Sequence, residues 1–456
     1  MIPQTRNRLT AAARRFFLHP LVQRVIRNSG YLLGAQTSAA ALSMVQGILA
    51  ARLLGAEGLA ALAVITQFSS VINRLTSFRM GELVVSYVSE FNARGESRKA
   101  AAVFKAAGLA EIASSLIAFG MLAGLAPWAA RTFAHRPDTS DEFVLYGVVL
   151  LANLMAESST GLLQVFNRYR TLAVLTVGQS MLTLGLIAGG FLRGAGLRWV
   201  LLAYLIGKMI SALGVTAVAF GQAGREWGAG WWRAPLGLLR PQAGNLIRFA
   251  FSTNLTASLN LVTRDSEVLW LGAFSTALHV AYYKVALAVT NVLLIPVSPL
   301  ISTTYREVAR EVGTRQWANV RYLLRSGTML AASWTVPAAL GVAVLGPWLV
   351  RLYGPEFGPA YPMLLVLLVG AAVANLLYWN RSVLLPLGLP EFPTKVHLVA
   401  AGLKIVGILL FVPAGGGYAM AWLLSAYFAG SALVLVWRTM REIRRAEARL
   451  PASAAG

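Results

Sequence analysis

The sequence contains no cysteine, which excludes disulfides, thiolate nucleophiles and cysteine-ligated metals. Histidine is almost as scarce. His19, His135, His279 and His397 are too scattered to suggest a metal site, and no cofactor is expected. Charge is thin as well. Only 13% of the 456 residues are Asp, Glu, Lys or Arg, about half of the roughly 25% usual in a soluble domain. Acidic residues are the rarer sign, 18 against 40 Lys and Arg. No soluble domain breaks the pattern, and no nucleic-acid-binding signature accompanies the basic residues.

Apolar residues fill the chain instead, at 57% with a mean hydropathy of +0.62. Runs of about 20 such residues, enough to cross a hydrocarbon core of about 30 Å, recur from Gly30 almost to Trp437. Their length and lack of alternation indicate helices, not a barrel. The spans fall at 30–53, 58–88, 101–126, 142–166, 171–193, 199–221, 245–271, 277–301, 323–345, 360–380, 395–413 and 416–437. The expected fold is therefore an all-α polytopic membrane protein of about twelve transmembrane helices, in two six-helix lobes around a central cavity. A basic interfacial segment, 1–29, precedes the first lobe, 30–221. A Gly- and Trp-rich linker, 222–244, leads to the second lobe, 245–437, and a basic tail, 438–456, follows. The second span is expected to break between Arg74 and Arg79, and Pro296 and Pro299 are kink points in the eighth.

Lys and Arg in the connections set the orientation. With the N-terminus inside, the cytoplasmic segments hold 27 of them and the opposite side five: Arg131, Arg136, Arg193, Arg198 and Arg351. Both termini are therefore expected in the cytoplasm. The same asymmetry accounts for the net charge of +22 through basic loops facing anionic membrane lipids.

Polar residues within the spans are not evenly spread. The first span carries Gln36, Ser43 and Gln46; the second Gln67, Asn73, Arg74 and Arg79; the seventh Asn260 and Arg264; the eighth Lys284 and Asn291. An ionised side chain facing lipid at mid-bilayer costs at least about 2.5–3.5 kcal/mol, so these stripes are expected to face one another across a watery cavity. Arg52, Arg74, Arg79, Arg264 and Lys284 would supply its cations, and Gln46, Asn73, Asn260 and Asn291 its amides. Glu82, Asp265 and Glu157 are candidate coupling or charge partners. Lys208 and Lys404 read more naturally as packing groups between helices. For Arg264 and Asp265 alone, the simpler account is that they mark the membrane boundary, where Arg snorkels.

The stretch ARLLGAEGLAALAV (51–64), following a polar first helix, resembles the Arg-x-Leu-Gly-x-Glu-Gly corner of the polysaccharide flippases. These are the O-antigen and teichoic-acid exporter branch of the multidrug/oligosaccharidyl-lipid/polysaccharide superfamily. Residues 246–286, in which Arg264-Asp265 precedes a Leu-Gly and then Tyr283 and Ala286, resemble that family's seventh and eighth helices. The chain departs from the family where Gly81 is followed by Glu82 instead of Leu. The resemblance implies two lobes rocking about a cavity lined by helices 1, 2, 7 and 8. It also implies a polyprenyl-pyrophosphate-linked oligosaccharide as substrate, a place in cell-surface polysaccharide (lipopolysaccharide O-antigen) synthesis, and a bacterial inner membrane. Two other readings are weighed. A drug/cation antiporter would want an acidic group in the cavity, and the first helix has none. A membrane polymerase or ligase would want a sizeable outer domain, whereas the longest outer loop, 127–141, offers only His135, Asp138 and Asp141.

Overall fold

The computed structural model describes residues 20–77, 80–249, 266–293 and 297–448. Among them the backbone is helical, with short 3-10 turns and no strand. A bilayer imposes this, because each N–H and C=O must find its partner within its own segment. The first lobe comprises α1 (Pro20–Thr76), α2 (Met80–Ala93), α3 (Ser97–Thr132), α4 (Ser140–Ala152), α5 (Ala156–Val165), α6 (Tyr169–Leu192) and α7 (Leu197–Trp227). The second comprises α8 (Glu267–Phe274), α9 (Ala277–Val292), α10 (Ser298–Gly313), α11 (Trp317–Arg351), α12 (Ala360–Leu376) and α13 (Glu391–Ala448).

At 57 and 58 residues, α1 and α13 are far too long for one crossing at about 1.5 Å per residue. Each holds two spans, divided at a glycine in the left-handed region: Gly55 with φ 66° and Gly416 with φ 52°. A side chain is strained at such a φ. The Leu-Gly-Ala of the first lobe is thus the corner itself. Its counterpart in the second lobe behaves differently. Gly272 lies inside α8, where a Cβ would come within 2.5 Å of the Phe133 carbonyl oxygen, and the turn follows at Ser275 and Thr276.

The second span breaks where the sequence places the break, with α1 ending at Thr76 and α2 starting at Met80. The fourth span, expected to be one helix, is two: α4 and α5 are interrupted at Asn153–Met155. In the linker, Trp231 packs on Phe104 of α3 at 5.2 Å, and Lys105 donates to the Ala234 carbonyl at 3.3 Å. This part of the connection therefore rests on the first lobe.

Three buried clusters show how the lobes meet. The largest joins both lobes, with Ile65, Leu122 and Leu150 packed in one body with Tyr283, Leu364 and Met420. It lies toward the end carrying Arg131, Arg136 and Arg351, the arginine-poor end. Toward the other end the clusters are separate, one around Val84, Phe104 and Leu162 in the first lobe and one around Val320, Trp379 and Ile443 in the second. The lobes are joined at the arginine-poor end and have their own cores at the arginine-rich end.

The crossing of α2 and α5 has no room for side chains. A Cβ on Gly161 would lie 2.5 Å from the Gly81 carbonyl oxygen, and one on Gly81 2.9 Å from that of Glu157. Small residues permit such close approach between membrane helices. Gly161→Ala should therefore cost about 1–3 kcal/mol through forced backbone displacement, read as a lower unfolding temperature in detergent. Gly120→Ala, with nothing within 4 Å, is the control. Equal stability of the two variants would show that the crossing can relax.

Candidate functional site

Between the lobes lies a cavity of about 430 Å³, lined by both halves of α1, by α4, α7 and α9, and by Tyr353 just after α11. Ser43 and Gly47, one helical turn apart, place the first half of α1 along it, and Leu59, Leu62, Ala63 and Thr66 the second half. Lys284 and Asn291 of α9 face it, as the polar stripe predicts. Lys208 of α7 joins them in the lining. Tyr146, Tyr204 and Tyr353 add phenol rings. The Tyr353 hydroxyl is buried with no hydrogen-bond partner among the described residues. The described lining includes two ammonium groups and no carboxylate, so it favours anions.

The last residue of the stretch RDSE (264–267) carries a second buried charge. Glu267 of α8 pairs with Lys404 of α13 at 2.5 Å, with both side chains almost wholly buried. The Lys404 ammonium also sits 5.5 Å above the Tyr427 ring. Glu267 is within electrostatic reach of Lys284 as well. Lys404 is therefore one half of a buried ion pair, and Glu267 is a charge that the sequence reading left unassigned.

The remaining expected residues fall elsewhere. Gln46 does not face the cavity. It is 4% exposed and donates to the Ser180 carbonyl of α6 at 2.8 Å, because, about 60° round the helix from Ser43 and about 100° from Gly47, its amide meets the packed helix and satisfies itself there. Arg52 is outside the cavity lining as well. Its Nε donates to the Leu352 carbonyl at 2.7 Å, tying the first lobe to the second at the arginine-poor end. Arg74 is exposed and lines neither of the two large cavities. Arg79, Asn260, Arg264 and Asp265 lie outside the described residues.

Asn73, Glu82 and Glu157 line a second cavity, of about 570 Å³, enclosed by α1, α2, α3 and the broken α4–α5 pair of the first lobe. The expected single cavity is thus divided in two. Glu111 of α3 holds the break together. Its carboxylate accepts from the backbone N–H of Glu157 at 2.7 Å, from that of Ser158 at 3.0 Å and from the Ser158 hydroxyl at 2.6 Å. These are the orphan donors of the first turn of α5, and a carboxylate also complements the positive end of the helix dipole. Glu157 in turn accepts from the Ser77 hydroxyl at 3.3 Å. Glu111 is absent from the expected site. The signal was present in Glu111, Ser114 and Ser115, spaced i, i+3, i+4 in an otherwise apolar run.

A helical membrane bundle whose two lobes meet around a cavity is the architecture of a membrane transporter. The family model described as "Polysaccharide biosynthesis protein" matches residues 25–305, more than half of the chain, and the chain belongs to that family. Among solved structures, an inward-facing multidrug resistance MATE family transporter of the MOP superfamily superposes with a TM-score of 0.73 at 14% identity, covering 91% of this chain and 96% of that one. The lipid II flippase MurJ, in an inward closed conformation, gives 0.68 at 11% identity, covering 91% and 89%. A MOP superfamily transporter from Pyrococcus furiosus, whose binding pocket is described as of reverse polarity, gives 0.65 at 14%, covering 93% and 96%. At these identities the likeness is one of fold. No curated protein matches by sequence.

Proposed function

We propose that this chain carries lipid-linked oligosaccharide units across the bacterial cytoplasmic membrane by alternating access, for cell-surface polysaccharide synthesis such as that of lipopolysaccharide O-antigen. The observation that carries the reading is the cavity between the lobes, with Lys208 and Lys284 in its lining and no carboxylate among the described lining residues. A polyprenyl-pyrophosphate headgroup requires cations, because charge-assisted bonds to phosphate are about twice as strong as neutral ones. Membership of a polysaccharide biosynthesis family supports a glycan cargo.

In this reading the arginine-rich end is cytoplasmic. Reporter fusions after Arg94, Arg170, Arg240 and Arg315 should report cytoplasm, and fusions after Arg136 and Arg198 the outside. Inversion at two or more sites would sink the orientation.

Function is tested by delivery. Cells without the protein should retain lipid-linked saccharide in the inner leaflet, and the restored chain should release it to the outer face. Unaltered delivery, with new sensitivity to cationic compounds, would favour the antiporter.

A further inference from the structure

The cavity of about 570 Å³ in the first lobe has no role in a carrier that holds only the phosphates. Its lining is chemically unlike that of the cavity between the lobes. The amides of Asn73, Asn153 and Gln164, the hydroxyls of Ser77, Ser115 and Thr160 and the carboxylates of Glu82 and Glu157 offer hydrogen bonding in both senses. Among the described lining residues there is no aromatic ring and few apolar side chains, a lining unlike the mostly apolar sites of lipid chains and drug-like molecules. Nor does it suit a bare ion. The most buried carboxylate, Glu111, is already occupied by two backbone N–H groups and a serine hydroxyl, and the other groups are spread over four helices around a volume far larger than an ion. A sugar fits this description, since every hydroxyl both donates and accepts.

The position relative to the phosphate cavity is set by one helix face. Thr66 of α1 lines the cavity between the lobes, and Asn73 and Ser77 line the polar cavity. Seven residues are almost two full turns, so Thr66 and Asn73 share a face and lie about 10 Å apart along the axis. Ser77 continues the same stripe one turn on. A ligand lying along that face therefore meets cations first, and next a cavity of amides, hydroxyls and the carboxylates of Glu82, Glu111 and Glu157, all of which bond sugar hydroxyls. This is the order of groups in a saccharide joined through phosphate to a lipid.

We infer that the polar cavity is the glycan subsite, binding hydroxyl- and acetamido-bearing sugar residues while Lys208 and Lys284 hold the phosphates one cavity away. The inference rests on the reading of the chain as a carrier of lipid-linked saccharide. Asn153 and Gln164 are specificity residues in this scheme, and Glu111 is a positioning residue that keeps α5 in register with α4.

The test uses the full chain in lipid nanodiscs, where the natural absence of cysteine leaves each introduced thiol as the sole reporter. Single variants Ser115→Cys, Thr160→Cys and Asn291→Cys are reacted with a water-soluble methanethiosulfonate. Two probes are added separately: inorganic pyrophosphate, and the oligosaccharide pool freed by mild acid from the lipid-linked glycans of the cells that make the protein. The oligosaccharide pool should slow modification of Ser115→Cys and Thr160→Cys at least about five-fold and leave Asn291→Cys unchanged. Pyrophosphate should protect Asn291→Cys alone. Combining Asn153→Ala with Gln164→Ala should raise the pool concentration needed for half-protection of Ser115→Cys about ten-fold, and an unchanged concentration would overturn the subsite. Protection of Asn291→Cys by pyrophosphate, with none of Ser115→Cys or Thr160→Cys by the pool, would overturn the glycan subsite and leave the carrier reading standing. Failure of both probes at all three positions would remove both.

Discussion

Lys284→Ala should lower delivery of lipid-linked saccharide to the outer face at least about ten-fold at matched membrane levels of the protein. Lys284 lines the cavity between the lobes, and a hydrogen bond to a charged group is worth about 1.5–3 kcal/mol. About 1.4 kcal/mol is a factor of ten. Lys284→Arg keeps the charge but exchanges a compact ammonium for a planar fork, so it should fall between the wild type and Lys284→Ala. Lys208→Ala removes the second ammonium of the same lining. If the two lysines hold one anion, the double variant should lose less than the sum of the two singles, since neighbours that share a partner are not additive. Near-normal delivery by Lys284→Ala would mean that this lysine merely fills space and would remove the main support for a phosphate-bearing cargo. Arg52→Ala separates a cavity role from a junction role. Because Arg52 bonds the Leu352 carbonyl across the lobes, its loss should change how readily the arginine-poor end opens to a thiol reagent more than how tightly anion is held.

The helices were largely legible in the sequence because crossing a bilayer leaves little freedom: an apolar run of the right length must be a helix. The break after Thr76 was also legible, since Asn73, Arg74 and Arg79 crowd less than two turns with groups that lipid does not tolerate. The break at Asn153–Met155 was not. Neither Pro nor Gly marks it, and its cause lies 42 residues earlier in the sequence, where the Glu111 carboxylate takes over the N–H groups that a continuous helix would have bonded to its own carbonyls. The site was half legible for a related reason. Helical spacing gives the face of a side chain but not what packs on that face. Ser43 and Gln46 look equivalent in the sequence, yet one meets the cavity and the other the Ser180 carbonyl. Lys208 and Lys404 look equally like packing groups. Only the fold puts the first in a cavity and gives the second a buried carboxylate.

Breaking the Glu267–Lys404 pair should have the largest effect on stability of any single change. Both side chains are almost wholly buried and lie 2.5 Å apart, so a stranded partner would be left as an uncompensated buried charge. Removing one partner of such a pair costs about 3–5 kcal/mol, whereas replacing both with neutral groups of similar volume is often neutral or stabilising. Glu267→Gln and Lys404→Met should therefore each lower the unfolding temperature in detergent sharply, and the combined variant should recover most of the loss. If either single variant were as stable as the wild type, the pair would not be holding α8 to α13. The combined variant also permits a second measurement that the singles, once destabilised, do not. Glu267 lies within electrostatic reach of Lys284, so the combined variant, which removes the negative charge of Glu267 together with the positive charge of Lys404, reads whether the pair tunes the hold of Lys284 on an anion. A stable double variant with tighter pyrophosphate protection at Asn291→Cys but slower delivery would show that the pair sets how easily the cargo leaves. Unchanged protection and unchanged delivery would confine the pair to holding the second lobe together.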